Sequence, residues 1–316
     1  MSATTPMRTR RSTLRRAFTL VEIMTSLAIL GIIGLGFVRL IVSQARFTEG
    51  QMALRNARSV SRNAMNIMLT DLRMVQDSGG LRFGSRDSVT VRVPVAFGLL
   101  CANTAGTATI SLLPVDSAMI ALGQYSGWAY RDSVSGQYVY NDATTPTRFG
   151  LLNAGIAGTC TNSAVVLGVA GPGITPLTFT LPSGATRTGR VVSIGDPVVI
   201  GATNHGWPVF LYQQITYKFA NSTAYPGRIG LFRKVRAADP MAPVVDEIIA
   251  PFDPSARFRF YVLNSDAAQD TMPTDPKSVR GLELVLAGSS PRAQQGMRAA
   301  EQALVTGVFF KNRRDP

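Results

Sequence analysis

The sequence predicts an α+β chain. One long N-terminal helix, apolar enough in its first half to span a membrane, should pack on an antiparallel β-sheet head that carries a β-rich insertion. Three observations predict this. Phe18–Val38 is an apolar run interrupted only by Glu22. No Pro occurs from Ala17 to Gln76, so nothing breaks the helix beyond that run. From Asp87 onward the apolar spacing changes from three or four residues to two, the period of strands.

The N-terminal segment comes first. Residues 1–17 hold five Arg (Arg8, Arg10, Arg11, Arg15 and Arg16) and no acid, so the formal charge of +13 is partly a local feature of this end. About 20 apolar residues cross a bilayer's hydrocarbon core as a helix. The basic flank is expected to stay in the cytoplasm, with everything after Arg39 on the other side. Glu22 needs separate explanation, because a carboxylate inside such a span costs a few kcal/mol on insertion scales and calls for a partner. A secretory signal would place a cut after "SQA" (Ser43–Ala45), but its apolar core should be only about 7–15 residues long. A plain anchor accounts for the run and leaves Glu22 unexplained.

The helix is expected to continue to about Gln76. Ala57, Val60, Ala64, Ile67, Met68, Leu72 and Val75 fall on one face, while Arg55, Arg58, Arg62 and Arg73 lie mainly off it. "DSGG" (Asp77–Gly80) supplies the stop. A helix from Phe18 to there would be roughly 90 Å long. Residues 18–38 form its membrane half, 39–78 its amphipathic half, and 79–316 the head. In the head, "SVTVRVP", "TISLL", "AVVLGVA", "LTFTL" and "PVVI" read as strands. They are followed by the clearer "ITYKF", "GLFRKV", "RFRFYVL", "LELVL" and "LVTGVFFKN". Alternation of this kind gives one apolar and one wet face, and the apolar face can cover the helix stripe.

Residues 101–205 are poor in charge and rich in Gly, Thr, Ser and Ala, and they read as a β-rich insertion. Both cysteines, Cys101 and Cys160, lie within it. On the oxidising side of a membrane a disulfide is expected, and closing a loop of about 60 residues adds roughly 4 kcal/mol in the chain-entropy treatment. Two free thiols are the alternative. The cysteines fit no metal spacing, and His205, the only histidine, sits in the turn-like "TNHGWP". Asp266, Asp270 and Asp275 offer hard oxygen ligands that could suit calcium, but their spacing fits no EF-hand, and a solvated loop is the simpler reading. No metal, cofactor or acid–base constellation is implied, so no enzyme is expected.

A basic leader, a small residue, "FTLVE" and a long apolar helix together resemble the type IV prepilin signal of pilins and type II secretion pseudopilins. The resemblance implies that prepilin peptidase cuts between Ala17 and Phe18 and methylates the Phe18 amine. The family usually has Gly where this chain has Ala17. It also implies a role for Glu22: its carboxylate neutralises the amine of an adjacent subunit, since opposite charges attract strongly in low dielectric. The order "ITYKF", "GLFRK", "DEIIAPF", "RFRFYVL", "VFFKNR" is similar to W-type minor pilins and J-type minor pseudopilins.

The implied function is a non-enzymatic subunit that initiates or caps a type IV pilus or type II secretion pseudopilus. It would be anchored in the inner membrane with its head outside the cytoplasm, and other pilins or pseudopilins would be its partners. The alternative is a pilus-tip binding subunit, an adhesin or a DNA or substrate receptor, using the insertion. The basic charge is compatible with nucleic acid, but no aromatic–basic cluster accompanies it.

Overall fold

The computed structural model describes residues 19–104, 107–112, 124–132, 135–148, 178–180, 183–188, 191–195, 208–235, 245–291 and 299–310. The chain divides into two compact units, Met1–Met52 and Ala53–Pro316. Helix α1 runs Leu20–Leu72. Within the first unit, every residue from Leu20 to Glu49 is exposed.

The second unit begins with the remaining turns of α1, which bury Ala57, Ser61, Ala64, Met68 and Leu72 against the sheet. Met68 and Leu72 are fully buried, each contributing about 2 kcal/mol of apolar transfer. The expected stripe is there, with Ile67 left partly outside it. The helix stops at Leu72, short of the expected Gln76. The reason is local: Met74 N–H bonds to the Asp71 carbonyl at 3.0 Å and Val75 N–H to the Leu72 carbonyl at 3.2 Å, the tighter i→i+3 pattern that closes a helix. The chain then reverses through Ser78 (φ 52°) and Gly79 (φ 118°), within the "DSGG" stop.

The strands of the first part are β1 (Leu81–Gly84), β2 (Ser88–Thr104), β3 (Thr107–Leu112), β4 (Gln124–Arg131) and β5 (Tyr138–Arg148). Next come β6 (Thr178–Thr180), β7 (Thr186–Thr188) and β8 (Val191–Gly195). The C-terminal set is β9 (Pro208–Asn221), β10 (Ile229–Val235), β11 (Val245–Phe252), β12 (Arg257–Val262), β13 (Val279–Ser289) and β14 (Glu301–Phe309). Twelve of these form one sheet, and β6–β7 is a separate hairpin. All described pairings are antiparallel, as alternation predicts.

β9 organises the sheet. β2 pairs along one of its edges from Ser88↔Lys218 to Leu99↔Pro208. The other edge is shared: β4 takes Val209–Tyr212, and β10 takes Ile215–Asn221. The C-terminal β12–β13–β14 ladders join this part through one pair, Phe252↔Gly288. The expected inward residues Ile215, Tyr217, Phe258, Phe260, Leu282 and Leu284 are buried with Ala64, Met68 and Leu72 in one cluster.

Two features of the head were not anticipated. The β4–β5 hairpin does not read as strands, because Gly127 and Pro146 interrupt its alternation. Yet Tyr125 and Trp128 of β4 are buried beside Val209 and Leu211. On the opposite face Phe210 and Tyr212 pack with Tyr138 and Tyr140 of β5. The run Val209–Tyr212 is therefore covered on both sides, and a continuous apolar run, not alternation, is its sequence signature. In the 101–205 region, β3, β4, β5 and β8 belong to the same sheet as the C-terminal strands.

Candidate functional site

The N-terminus of α1 is built by two side chains. Thr19 precedes the helix, and the Glu22 N–H donates to Thr19 Oγ1 at 3.3 Å. In return, Glu22 Oε2 accepts from the Thr19 N–H at 3.2 Å and from its hydroxyl at 3.3 Å. This is a reciprocal capping box: a Thr and a Glu three residues apart satisfy donors that a helix start leaves unpaired. Sequence reasoning missed Thr19 as a cap, although the T-x-x-E spacing was the available signal. Ala17 and Phe18, the expected processing site, lie outside the described residues.

Beyond the cap, the described apolar side chains of this unit are exposed. Leu20, Ile23, Leu27, Leu30 and Phe37 are each more than half exposed. An 18-residue window of α1 is long and apolar enough to cross a membrane, and none of it is buried within the chain. A surface of this kind needs lipid or another apolar helix beside it. Glu22 is the only charged residue within that stretch until Arg39.

The head contains charged clusters whose geometry is internal. Asp142 of β5 receives Arg92 Nε at 3.0 Å and Nη2 at 2.7 Å, Tyr212 OH at 2.6 Å and Gln214 Nε2 at 2.7 Å. Arg92 also donates to the Gly79 carbonyl at 2.6 Å, joining the hairpin to the turn that follows α1. Burial pushes the Asp142 carboxyl up, but the Arg92 and Tyr212 hydrogen bonds and the nearby guanidinium charges outweigh it and hold it at about 2. Asp71 near the end of α1 accepts from Tyr217 OH at 2.6 Å and Arg233 Nη2 at 3.0 Å. These networks fasten elements to one another.

The three loop aspartates are also engaged. Asp266 pairs with Arg280 at 2.9 Å, and Asp270 pairs with Arg259 at 2.9 Å. Asp275 accepts the Lys277 N–H at 3.0 Å. They serve three different partners and do not converge on one point. Among the described residues no group of three or more His, Cys, Asp or Glu could hold a metal. An open groove of about 680 Å³ lies between Asn56, Val60 and Asn63 of α1 and Ile248 and Ile249 of β11. Its carboxylate, Glu247, is held by the Ser222 and Thr223 hydroxyls. His205 and Cys160 lie outside the described residues, as does the side chain of Cys101.

Residues 13–38 match the family model of the prokaryotic N-terminal methylation motif. That match falls on the basic flank, the capped helix start and the bare apolar run together. The chain is type IV pilin-like. Its long helix followed by an antiparallel head agrees with the α+β pilin fold. No curated protein and no solved structure matches it. The motif implies processing by prepilin peptidase, assembly with other pilins and a structural role; with the apolar helix, it fits a membrane-anchored subunit.

Proposed function

We propose that the chain is a minor pilin or pseudopilin, a subunit that starts or caps a type IV pilus or a type II secretion pseudopilus. The observation that carries this reading is the helix start. A methylation motif leads into an apolar helix surface that is exposed among the described residues, with one carboxylate at its beginning. The cut falls between Ala17 and Phe18, leaving a methylated Phe18 amine. The Glu22 carboxylate, four residues further on, pairs with the amine of a neighbouring subunit, because either charge alone in lipid is costly. The five Arg of the leader hold that end in the cytoplasm, so the subunit sits in the inner membrane with its head outside.

The similarity of the C-terminal strand series to W-type and J-type minor subunits supports a minor position in the filament. Cys101 and Cys160 form a disulfide in this reading, since the head folds on the oxidising side. The test is recovery of the chain in the filament fraction sheared from cells. Recovery at a small fraction of the major subunit is expected, and complete retention in the membrane pellet would count against a filament role.

A further inference from the structure

The outward flank of α1 carries Arg55, Arg58 and Arg62, spaced three and four residues apart, so the three side chains share one ridge of the helix. All three are exposed. Among the described residues, Arg55 and Arg62 take part in none of the ion pairs. Arg58 makes one long hydrogen bond, Nε to Gln302 Oε1 at 3.5 Å. Like charges at this spacing repel and weaken a helix. The packing of the head gives no reason for the ridge, since the buried side of these turns is Ala57, Ser61 and Ala64.

Among the described residues, several carboxylates of the head are engaged within it. Asp71 faces Arg233, Asp142 faces Arg82 and Arg92, Asp270 and Glu283 face Arg259, and Asp266 faces Arg280. Glu247 accepts from the Ser222 and Thr223 hydroxyls. A second copy does expose Asp87 and Asp246, but it carries 32 basic against 19 acidic residues and so meets the ridge with a net positive charge. A lipid surface is also a poor match, because a surface-lying helix needs large apolar side chains beside its basic ones. Here the exposed neighbours are mainly polar, Asn56, Ser59, Asn63 and Asn66, with Met52 and Ile67 the exposed large apolar residues of these turns. Nor do these turns offer an aromatic ring on which a base could stack.

We propose that the Arg55–Arg58–Arg62 ridge docks against an acidic face of a different pilin subunit. The proposal rests on the reading of the chain as a filament subunit and names the chemistry of its neighbour. Two helical turns, about 10 Å of axis, present guanidinium forks that pair with carboxylates in a fixed geometry. The contact is thus heterotypic, which selects a particular neighbour and disfavours addition of the chain to itself.

A photo-cross-linking residue placed at position 62 of the full chain, in membranes of the cells that make it, reads the neighbour directly. The expected adduct is a peptide of another pilin-type chain containing several Asp or Glu. Adducts only with lipid, nucleic acid or a second copy overturn the proposal. The R55E/R62E variant gives a second readout. Its recovery in the filament fraction should fall about tenfold, the effect of losing and reversing two surface pairs. Arg placed at the carboxylates of the cross-linked peptide should restore it. Both positions are exposed, so detergent-solubilised R55E/R62E should melt with the wild type. If the wild type enters the filament fraction and R55E/R62E enters equally, the ridge is not a docking surface. If the wild type itself never enters, the filament reading fails, and the cross-link alone decides the ridge.

Discussion

Ser61 of the helix accepts the backbone N–H of Gly288 in β13 at 2.9 Å, in a buried contact between residues 227 positions apart in sequence. The same hydroxyl lies 3.0 Å from the Leu286 carbonyl and 3.2 Å from the Gln302 carbonyl, so it fastens α1 to both β13 and β14. A Cβ added at Gly288 would press on the Ala57 carbonyl and lie 2.5 Å from Ser61 Oγ. Close approach of helix and strand at this point depends on the absence of a side chain.

Gly288→Ala should therefore destabilise the head by about 1–3 kcal/mol, the range for overpacking a filled site. Thermal unfolding of the detergent-solubilised chain checks it. A melting temperature equal to wild type would show that the helix is not seated here as described.

Asp71 makes the second tie. Removing its carboxylate leaves Tyr217 OH and the half-buried Arg233 without their acceptor. Asp71→Ala should cost about 2–3 kcal/mol and Tyr217→Phe about 1 kcal/mol. The double variant should lose less than the sum, because both remove one shared bond. Denaturant unfolding of the four proteins measures the coupling.

Asp142 sets an acid limit. Its folded-state carboxyl is held at about 2, below the value of about 3.9 in an unfolded chain. Its stabilisation is thus fully present above about pH 4 and lost as the pH falls through 2. With solvent screening, the loss is about 1–2 kcal/mol. Asp142→Asn should flatten that part of the stability-against-pH curve. An unchanged slope between pH 4 and 2 would mean that other carboxylates dominate.

Much of this architecture was legible because burial and period agreed. The Leu282, Leu284, Leu286 alternation and the Ala57–Leu72 stripe are one-face patterns, and each faces the other in the fold. Ser61 was not legible: a small polar residue on an apolar stripe looks like an interruption until its partner, distant in sequence, is known. The β4–β5 hairpin was hidden for a related reason. Trp128 and Tyr125 pack on Val209 and Leu211, but Gly127 between them breaks the strand pattern. At the N-terminus, Glu22 stood out by its charge alone, whereas Thr19 gained meaning only through the reciprocal bonds to it.

That capping box separates two roles of Glu22. Gln at this position keeps a cap-forming side chain and loses the charge, while Val loses both. If charge pairing with a neighbour's amine drives assembly, Glu22→Gln and Glu22→Val should fall to the same low recovery in sheared filaments at matched membrane levels. Recovery of the Gln variant at the wild-type level would assign Glu22 to capping instead.

The processing of the chain bears most directly on the account as a whole. Intact-mass and N-terminal peptide analysis of protein extracted from the membrane should find a mature chain that begins at Phe18 with one methyl group on its amine. A chain beginning at Arg46, after the "SQA" triplet, or one retaining the five Arg of the leader, would contradict it.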